Sequence, residues 1–339
     1  MTMKVEQSPD ADTATTCVEF SSIAAHKASG RKKQKTSIKP KKILHFLSTQ
    51  SVASPFDINM AVDSGYDVIV PHTNIGIAHT RSLVQDAIFS RPPQYGRYTG
   101  LFIGGKDALL ALDMLAEAQK ALVPPFEVKA FADPGGSFTT AAAMVAYVEK
   151  IYQKKTGHSL SAARVTVFGA TGVVGFASAV IAALQGAQVT VVTHMGYKAI
   201  EPLVAEAKAR FGVTLIAALG ARNADKTRLV SHADIVLCAA AAGVRVLEQP
   251  HFKRAKQNII VADVNAVPPS GIFGVGLFDN GSAQLPQGGY AIGPLAIGDI
   301  KYKTQATLFQ KMTSADTETA YDFRSAFSVA RQIVSKTLS

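Results

Sequence analysis

Gly169, Gly172 and Gly175 stand three residues apart inside VTVFGATGVVGFASAVIAALQGAQVTVVT, residues 165–193. A turn of small residues between an alternating Val/Thr/Phe segment and an Ala-rich segment lets free N–H groups at a helix start approach a pyrophosphate closely. The triplet is not the strict GxGxxG form, since Ala170 and Thr171 stand where that form has its second glycine. A tight strand-to-helix turn without a ligand is the bland alternative. A second strand-like segment, QVTVVT, follows at the distance a nucleotide-binding βαβ unit requires, and this favours a dinucleotide. The expected cofactor set is Gly169, Thr171, Gly172, Val173, Val174 and Gly175, joined by Ala239 and Ala240 after ADIVLC.

The end of the second strand bears on which dinucleotide is bound. A carboxylate there accepts from the ribose hydroxyls of NAD and repels a 2′-phosphate. Here the chain reads Thr193, His194, Met195, Gly196, Tyr197, Lys198, with no carboxylate. Thr193 and His194 can hydrogen-bond a phosphate and Lys198 can reach it from the next helix, so NADP is expected as the preferred cofactor with NAD tolerated. No Arg is present at this point to supply the planar fork that grips phosphate best. His194 is alternatively a plain loop residue.

The elements that would position these residues follow a repeated strand–helix order, which favours parallel sheets covered on both faces. From residue 43 the chain runs KILHFL, PFDINMAVDSG, YDVIVP, a helical stretch near 79–89, then GLFIGG and the amphipathic KDALLALDMLAEAQKAL. FEVKAFAD is the next strand, and SFTTAAAMVAYVEKIYQKKTG a long helix closed by Gly157. A second unit contains five strand-like segments, RVTVFG, QVTVVT, VTLIAAL, ADIVLCAA and NIIVADV, with helices expected at 172–185, 197–211 and near 223–231. Two last helices are expected at 303–313 and 317–337. The fold class is therefore α/β with two domains: an N-terminal α/β substrate domain over 42–155, completed by 302–337, and a Rossmann-type dinucleotide-binding domain over 156–301, with a cleft between them.

Three Gly-rich segments suit that cleft: SPFDINMAVDSG, FADPGGSFTTAAA and YAIGPLAIGDIKYK. Together GLFIGGKD, DPGGSFTTAAA, IVADVNAVPPSGI and LAIGDIKYK resemble the NAD(P)-dependent methylene-tetrahydromethanopterin dehydrogenases of methylotrophic bacteria, a family related in fold to methylene-tetrahydrofolate dehydrogenases. The resemblance covers roughly residues 42–337. It implies a reduced pterin with a one-carbon bridge beside the nicotinamide, and hydride transfer from its methylene carbon in one-carbon (formaldehyde oxidation) metabolism. Positioning should dominate such a reaction, because the adjacent nitrogen lone pairs expel the hydride.

Carried over by this resemblance, Lys301 is the catalytic residue, orienting the pterin or tuning charge at the reacting carbon; a surface lysine is its alternative. Phe56 lies against the pterin with Asp57 and Asn59 near it, unless Phe56 is a core residue of its helix. Asp133 accepts from the pterin N–H groups, or else caps the following helix, and Ser137 and Thr139 belong to the same substrate set. Asn265 and Ala266 border the nicotinamide ribose or the pterin.

The net charge of +10 is unevenly placed, for residues 1–42 carry nine Lys or Arg against four acids. Residues 1–41 are read as a disordered basic extension with no apolar block resembling a signal peptide. The mild excess elsewhere suits an anionic small ligand, and nucleic acid is not the expected partner. Cys17 and Cys238 have no spacing for a disulfide framework or a metal, and no apolar run reaches the length of a membrane span. A cytoplasmic homo-oligomer without metal is expected. Two alternatives stay open: methylene-tetrahydrofolate as substrate, and a non-catalytic NAD(P)-binding sensor whose basic tail contacts DNA or a partner.

Overall fold

The computed structural model describes residues 40–285, 288–315 and 318–338. The expected basic extension, apart from its last two residues, lies outside them. Chain order is β1 (Ile43–Ser48), α1 (Pro55–Asp63), β2 (Val68–His72), α2 (Ile77–Phe89), β3 (Thr99–Gly104), α3 (Ala108–Lys120), β4 (Lys129–Ala132) and α4 (Ser137–Thr156). Then come β5 (Arg164–Phe168), α5 (Val173–Leu184), β6 (Gln188–Thr193), α6 (Glu201–Phe211), β7 (Leu215–Leu219), α7 (Asn223–His232), β8 (Ile235–Cys238) and β9 (Ile260–Asp263). The chain ends with β10 (Asn280–Gln284), β11 (Tyr290–Ile292), α8 (Pro294–Met312), β12 (Ala320–Tyr321) and α9 (Phe323–Thr337).

Two sheets result. The first is parallel, in the order β12-β4-β3-β1-β2. The second runs β10-β11-β9-β8-β5-β6-β7 and is parallel except for the β10–β11 pair. Its inner order is that of a doubly wound dinucleotide-binding sheet: the chain goes outward from β5 to one side and then returns to the other through β8. The crevice at that reversal, above the C-terminal strand ends, is where such sheets bind ligands.

The strands form here because apolar residues fill both faces. All six residues of β3 are buried, as expected for a central parallel strand. Phe46, Phe102, Phe131 and Phe309 stack edge-on or tilted on one another with centroids 5.0–5.5 Å apart, locking α8 onto the first sheet. Burying each such ring is worth about 1.5–3 kcal/mol. Helix α4 is buried along most of its length and packs against α5, α8 and α9, so it joins the two sheets through one continuous core.

Several boundaries differ from the sequence reading, each for a local reason. Helix α8 starts at Pro294, not near 303, with Gly293 as N-cap and proline in its first turn. The expected domain border at 301/302 therefore falls inside one helix, all of which follows the second sheet. Helix α6 starts at Glu201, because residues 197–199 form a separate single turn before Pro202. Asp322 accepts from the Arg324 N–H at 2.7 Å and starts α9 at Phe323, not 317. Strands β10 and β11 lie outside the sequence reading: β10 is interrupted by Gly281 and β11 is three residues set between Gly289 and Gly293, below what alternation can register.

Candidate active site

The β5–α5 turn is built by glycines that close approaches require. Gly169 has φ +77°, and a Cβ there would overlap the Ala239 carbonyl; a Cβ on Gly175 would overlap the carbonyl of Gly169 itself. Strand, turn and helix are thus pressed together, and the loop after β8 is pressed against them. Gly172 is the N-cap of α5 and provides no side-chain cap, so the first N–H groups of a twelve-residue helix are left for an anion.

A crevice of about 700 Å³ opens above this turn. It gathers Gly169, Thr171, Gly172, Thr193, His194, Ala239 and Ala240, seven of the expected cofactor residues. Val173 and Val174 are half-buried in the first turn of α5, and Gly175 is buried behind it. Thr193 is buried, and its Oγ1 accepts from the Met195 N–H at 3.1 Å. The shape, the open helix start and the missing carboxylate fit a nicotinamide dinucleotide.

Three expected cofactor residues stand elsewhere. Lys198 is exposed and does not border the crevice. Asn265 is buried and engaged: Oδ1 accepts from the N–H groups of Val267 (3.0 Å) and Gly243 (3.2 Å), and Nδ2 donates to Pro269 O at 2.9 Å. Its side chain ties together the loops after β8 and β9. Ala266, beside it, is exposed and outside the crevice. Conversely, Lys226 and Arg245 border the crevice although the sequence reading did not name them. They come from α7 and from the loop after β8, remote in sequence from the end of β6 where the phosphate partners are expected.

A second constellation forms where α1, α8 and the β4–α4 turn meet. Phe56, in the first turn of α1, is 51% exposed, so it is not a core residue. The Lys301 Nζ lies 3.7 Å from its ring centroid, a cation–π distance. Lys301 is buried, not a surface lysine, and donates to Gln305 Oε1 at 2.6 Å; Gln305 Nε2 donates in turn to Asp57 Oδ1 at 2.9 Å. Lys301 also closes on Gly136, where a Cβ would stand 3.0 Å from Nζ. Asn59 is exposed one turn beyond Phe56, and Ser137 is half-buried next to Gly136.

Asp133 and Thr139, expected among the substrate residues, have side chains engaged within the fold. Both are fully buried, and Asp133 accepts from Phe138 N–H (2.8 Å), Thr139 N–H (3.2 Å) and Thr139 Oγ1 (2.6 Å). The carboxylate satisfies the free donors at the start of α4, which is the capping alternative.

Charge in this constellation is balanced internally. Burial pushes the Asp133 carboxyl up to about 6, against the opposing pull of Lys301 and Thr139. Burial also raises Asp57 and lowers Lys301, whose ammonium the two carboxylates help to retain.

The two constellations are joined by turns. A Cβ on Gly135 would stand 3.3 Å from Gly105 O, and the next residues, Lys106 and Asp107, face Thr171, Gly172 and Val173 across a cavity of about 180 Å³. The Lys301 cluster thus approaches the glycine turn through the β4–α4 and β3–α3 connections. Among the described residues no three His, Cys, Asp or Glu side chains group to hold a metal ion, and no helix is long and apolar enough to cross a membrane.

Residues 55–135 match the family model "Methylene-tetrahydromethanopterin dehydrogenase, N-terminal". The chain is 44% identical over 292 residues to the NAD(P)-dependent methylenetetrahydromethanopterin dehydrogenase of Methylorubrum extorquens, covering 86% of this chain and 98% of that protein. It is 31% identical over 293 residues to the Bifunctional protein MdtA of the same organism, covering 86% and 99%. Among solved structures, the NAD-dependent malic enzyme of Thermotoga maritima shares the fold at TM-score 0.54 and 11% identity, covering 86% of this chain and 84% of that one. Ornithine carbamoyltransferase of Pyrococcus furiosus does so at TM-score 0.50 and 12% identity, covering 81% and 86%. The extent and identity of the first match decide the family: this chain belongs to the methylenetetrahydromethanopterin dehydrogenases.

Proposed function

We propose that the protein oxidises methylene-tetrahydromethanopterin to methenyl-tetrahydromethanopterin, passing a hydride to NAD(P)+ with NADP preferred and NAD accepted. The observation that carries the reading is the Phe56–Lys301–Gln305–Asp57 constellation, linked by two turns to the glycine turn of the dinucleotide crevice. A half-exposed aromatic face beside a buried, charge-balanced cluster suits a flat heteroaromatic ring with polar edges.

When bound, the nicotinamide ring supplies the hydride acceptor. The protein's own task is positioning. Gly172 and the first turn of α5 hold the pyrophosphate, and the Phe56 ring offers a platform for the pterin. Lys301, kept in place by Gln305 and by its closeness to Gly136, directs its ammonium at the same space. Its positive charge is offset by Asp57 and Asp133, so that cationic methenyl product is not opposed by an unbalanced lysine. The reaction is assigned to the cytoplasm and the protein to a homo-oligomer.

Absorbance at 340 nm with methylene-tetrahydromethanopterin and either dinucleotide tests this, run beside methylene-tetrahydrofolate and Lys301→Ala. The expected result is turnover with the methanopterin substrate, reduced about 100-fold or more in the variant, as for loss of a charged positioning group. Turnover with the folate alone would reassign the carrier. No turnover with either would remove the enzyme reading.

A further inference from the structure

The crevice holds two cations that its end-of-β6 residues do not account for. Lys226, one turn into α7, donates to Val246 O at 2.8 Å and so draws the loop after β8 over the crevice. Arg245, in that loop, donates through Nε to Ser270 O at 2.5 Å, while Nη1 stands 3.4 Å from Glu248 Oε2. Both residues border the same space as Thr193 and His194.

We propose that Lys226 and Arg245 form the recognition site for the 2′-phosphate of NADP, facing the end of β6 from the opposite wall of the crevice. This rests on the dinucleotide reading of the crevice and is independent of the pterin. In a doubly wound sheet the adenosine ribose lies at the end of the second strand of the nucleotide unit, here Thr193 and His194 of β6. The groups that face it are therefore those that decide between a 2′-hydroxyl and a 2′-phosphate.

Charge and geometry both favour the phosphate. No carboxylate borders the crevice, so nothing there competes with an anion. Three groups outside the crevice lining face Arg245: Glu248, which is 56% exposed, the buried Asp263 carboxylate, which acts on it by charge alone, and the Phe273 ring at 5.6 Å. A guanidinium carries five N–H donors in a fixed fork; the Ser270 contact takes the Nε donor, the long Glu248 contact one on Nη1, and the Nη2 donors stay for a second partner. Lys226 adds a point charge from the helix behind the loop, and its bond to Val246 ties it to the residue next to Arg245.

Equilibrium binding of 2′,5′-ADP and of 5′-AMP, which carry the adenosine end alone, tests the assignment without turnover or pterin. Wild type should bind 2′,5′-ADP about tenfold or more tightly than AMP, the scale of one or two charge-assisted hydrogen bonds. Arg245→Met and Lys226→Met should each lose most of that ratio while AMP affinity stays within about threefold. Lys226→Arg should restore it, and Lys198→Ala should leave it near wild type. Two results would overturn the proposal: no wild-type preference for 2′,5′-ADP, or variants that keep their melting temperature yet lose both nucleotides equally, which would make these residues a clamp on adenine. Because the assay has no pterin, its failure and a failure of the substrate reading are distinguishable.

Discussion

Gln305 joins Lys301 to Asp57, accepting from the ammonium at 2.6 Å with its carbonyl oxygen and donating to the carboxylate at 2.9 Å with its amide nitrogen. All three side chains are buried, and Gln305 is the hydrogen-bond partner that Lys301 and Asp57 share. An amide is suited to this place because it offers an acceptor and a donor at one end. Gln305→Leu is expected to destabilise the fold by about 1–3 kcal/mol, the cost of unsatisfied buried partners. It should also lower kcat/KM for the pterin about tenfold or more while leaving dinucleotide affinity intact. Gln305→Glu places a second carboxylate against Asp57, so one of the two must hold a proton and the pH–rate profile should shift. Wild-type kcat/KM in Gln305→Leu would dismiss any positioning role.

Phe56 separates a stability role from a binding role. Its ring is 51% exposed, so Phe56→Ala should change stability by no more than about 0.5 kcal/mol. If the ring is the pterin platform, KM for the pterin should rise about tenfold with a smaller change in kcat, consistent with loss of stacking and of the Lys301 contact. Thermal unfolding and steady-state kinetics on one preparation decide this. A large fall in melting temperature would mean that the residue belongs to the core after all.

The parts of the site that were legible in the sequence are those encoded over a few residues. The β5–α5 turn was readable because strand, glycines and helix adjoin, and the lack of a carboxylate after Thr193 is visible in the chain. Gln305 was not reached, although it lies four residues after Lys301, because α8 was expected to begin after Lys301 and the helical spacing of the pair went unseen. Pro294 following Gly293 was the available signal for the earlier start. Lys226 and Arg245 are brought to β6 by a crossover through α7 and β8, which no local pattern reports. Asp133 had two readings in the sequence, and only its burial against the start of α4 separates them.

Asp133 predicts a signed pH dependence of stability. Burial raises its carboxyl in the folded protein to about 6, above the value of an unfolded chain. The folded state therefore holds this proton more tightly. Its contribution is fully present below about pH 4 and is lost as pH rises through about 6, a change on the order of 2–3 kcal/mol. Asp133→Asn keeps an acceptor for the Phe138 N–H, and the Thr139 hydroxyl can turn to accept from the new amide. The stability of wild type minus that of this variant should fall between pH 4 and 6 and level off above pH 7. A difference that stays flat over this range would mean that Asp133 is charged in the folded protein at ordinary carboxyl pH.

The three glycines of the β5–α5 turn should differ in what they cost. At Gly175 an added Cβ would run into the backbone of Gly169, and at Gly169 into Ala239 with φ at +77° besides, so neither position can adjust by moving a side chain. Gly169→Ala and Gly175→Ala should each destabilise by about 2 kcal/mol or more, as overpacking against backbone does, and weaken the dinucleotide in consequence. Gly172 is different. A Cβ there would meet only Gly169 O, at 3.5 Å, which is ordinary contact. Gly172→Ala should therefore melt within a few degrees of wild type while its methyl group stands at the start of α5, where the pyrophosphate approaches. Weaker NADP binding without loss of stability in Gly172→Ala, set beside loss of both in Gly175→Ala, would separate the ligand's demand for space from the fold's. Unchanged NADP affinity in Gly172→Ala would mean that the phosphates do not approach this turn closely.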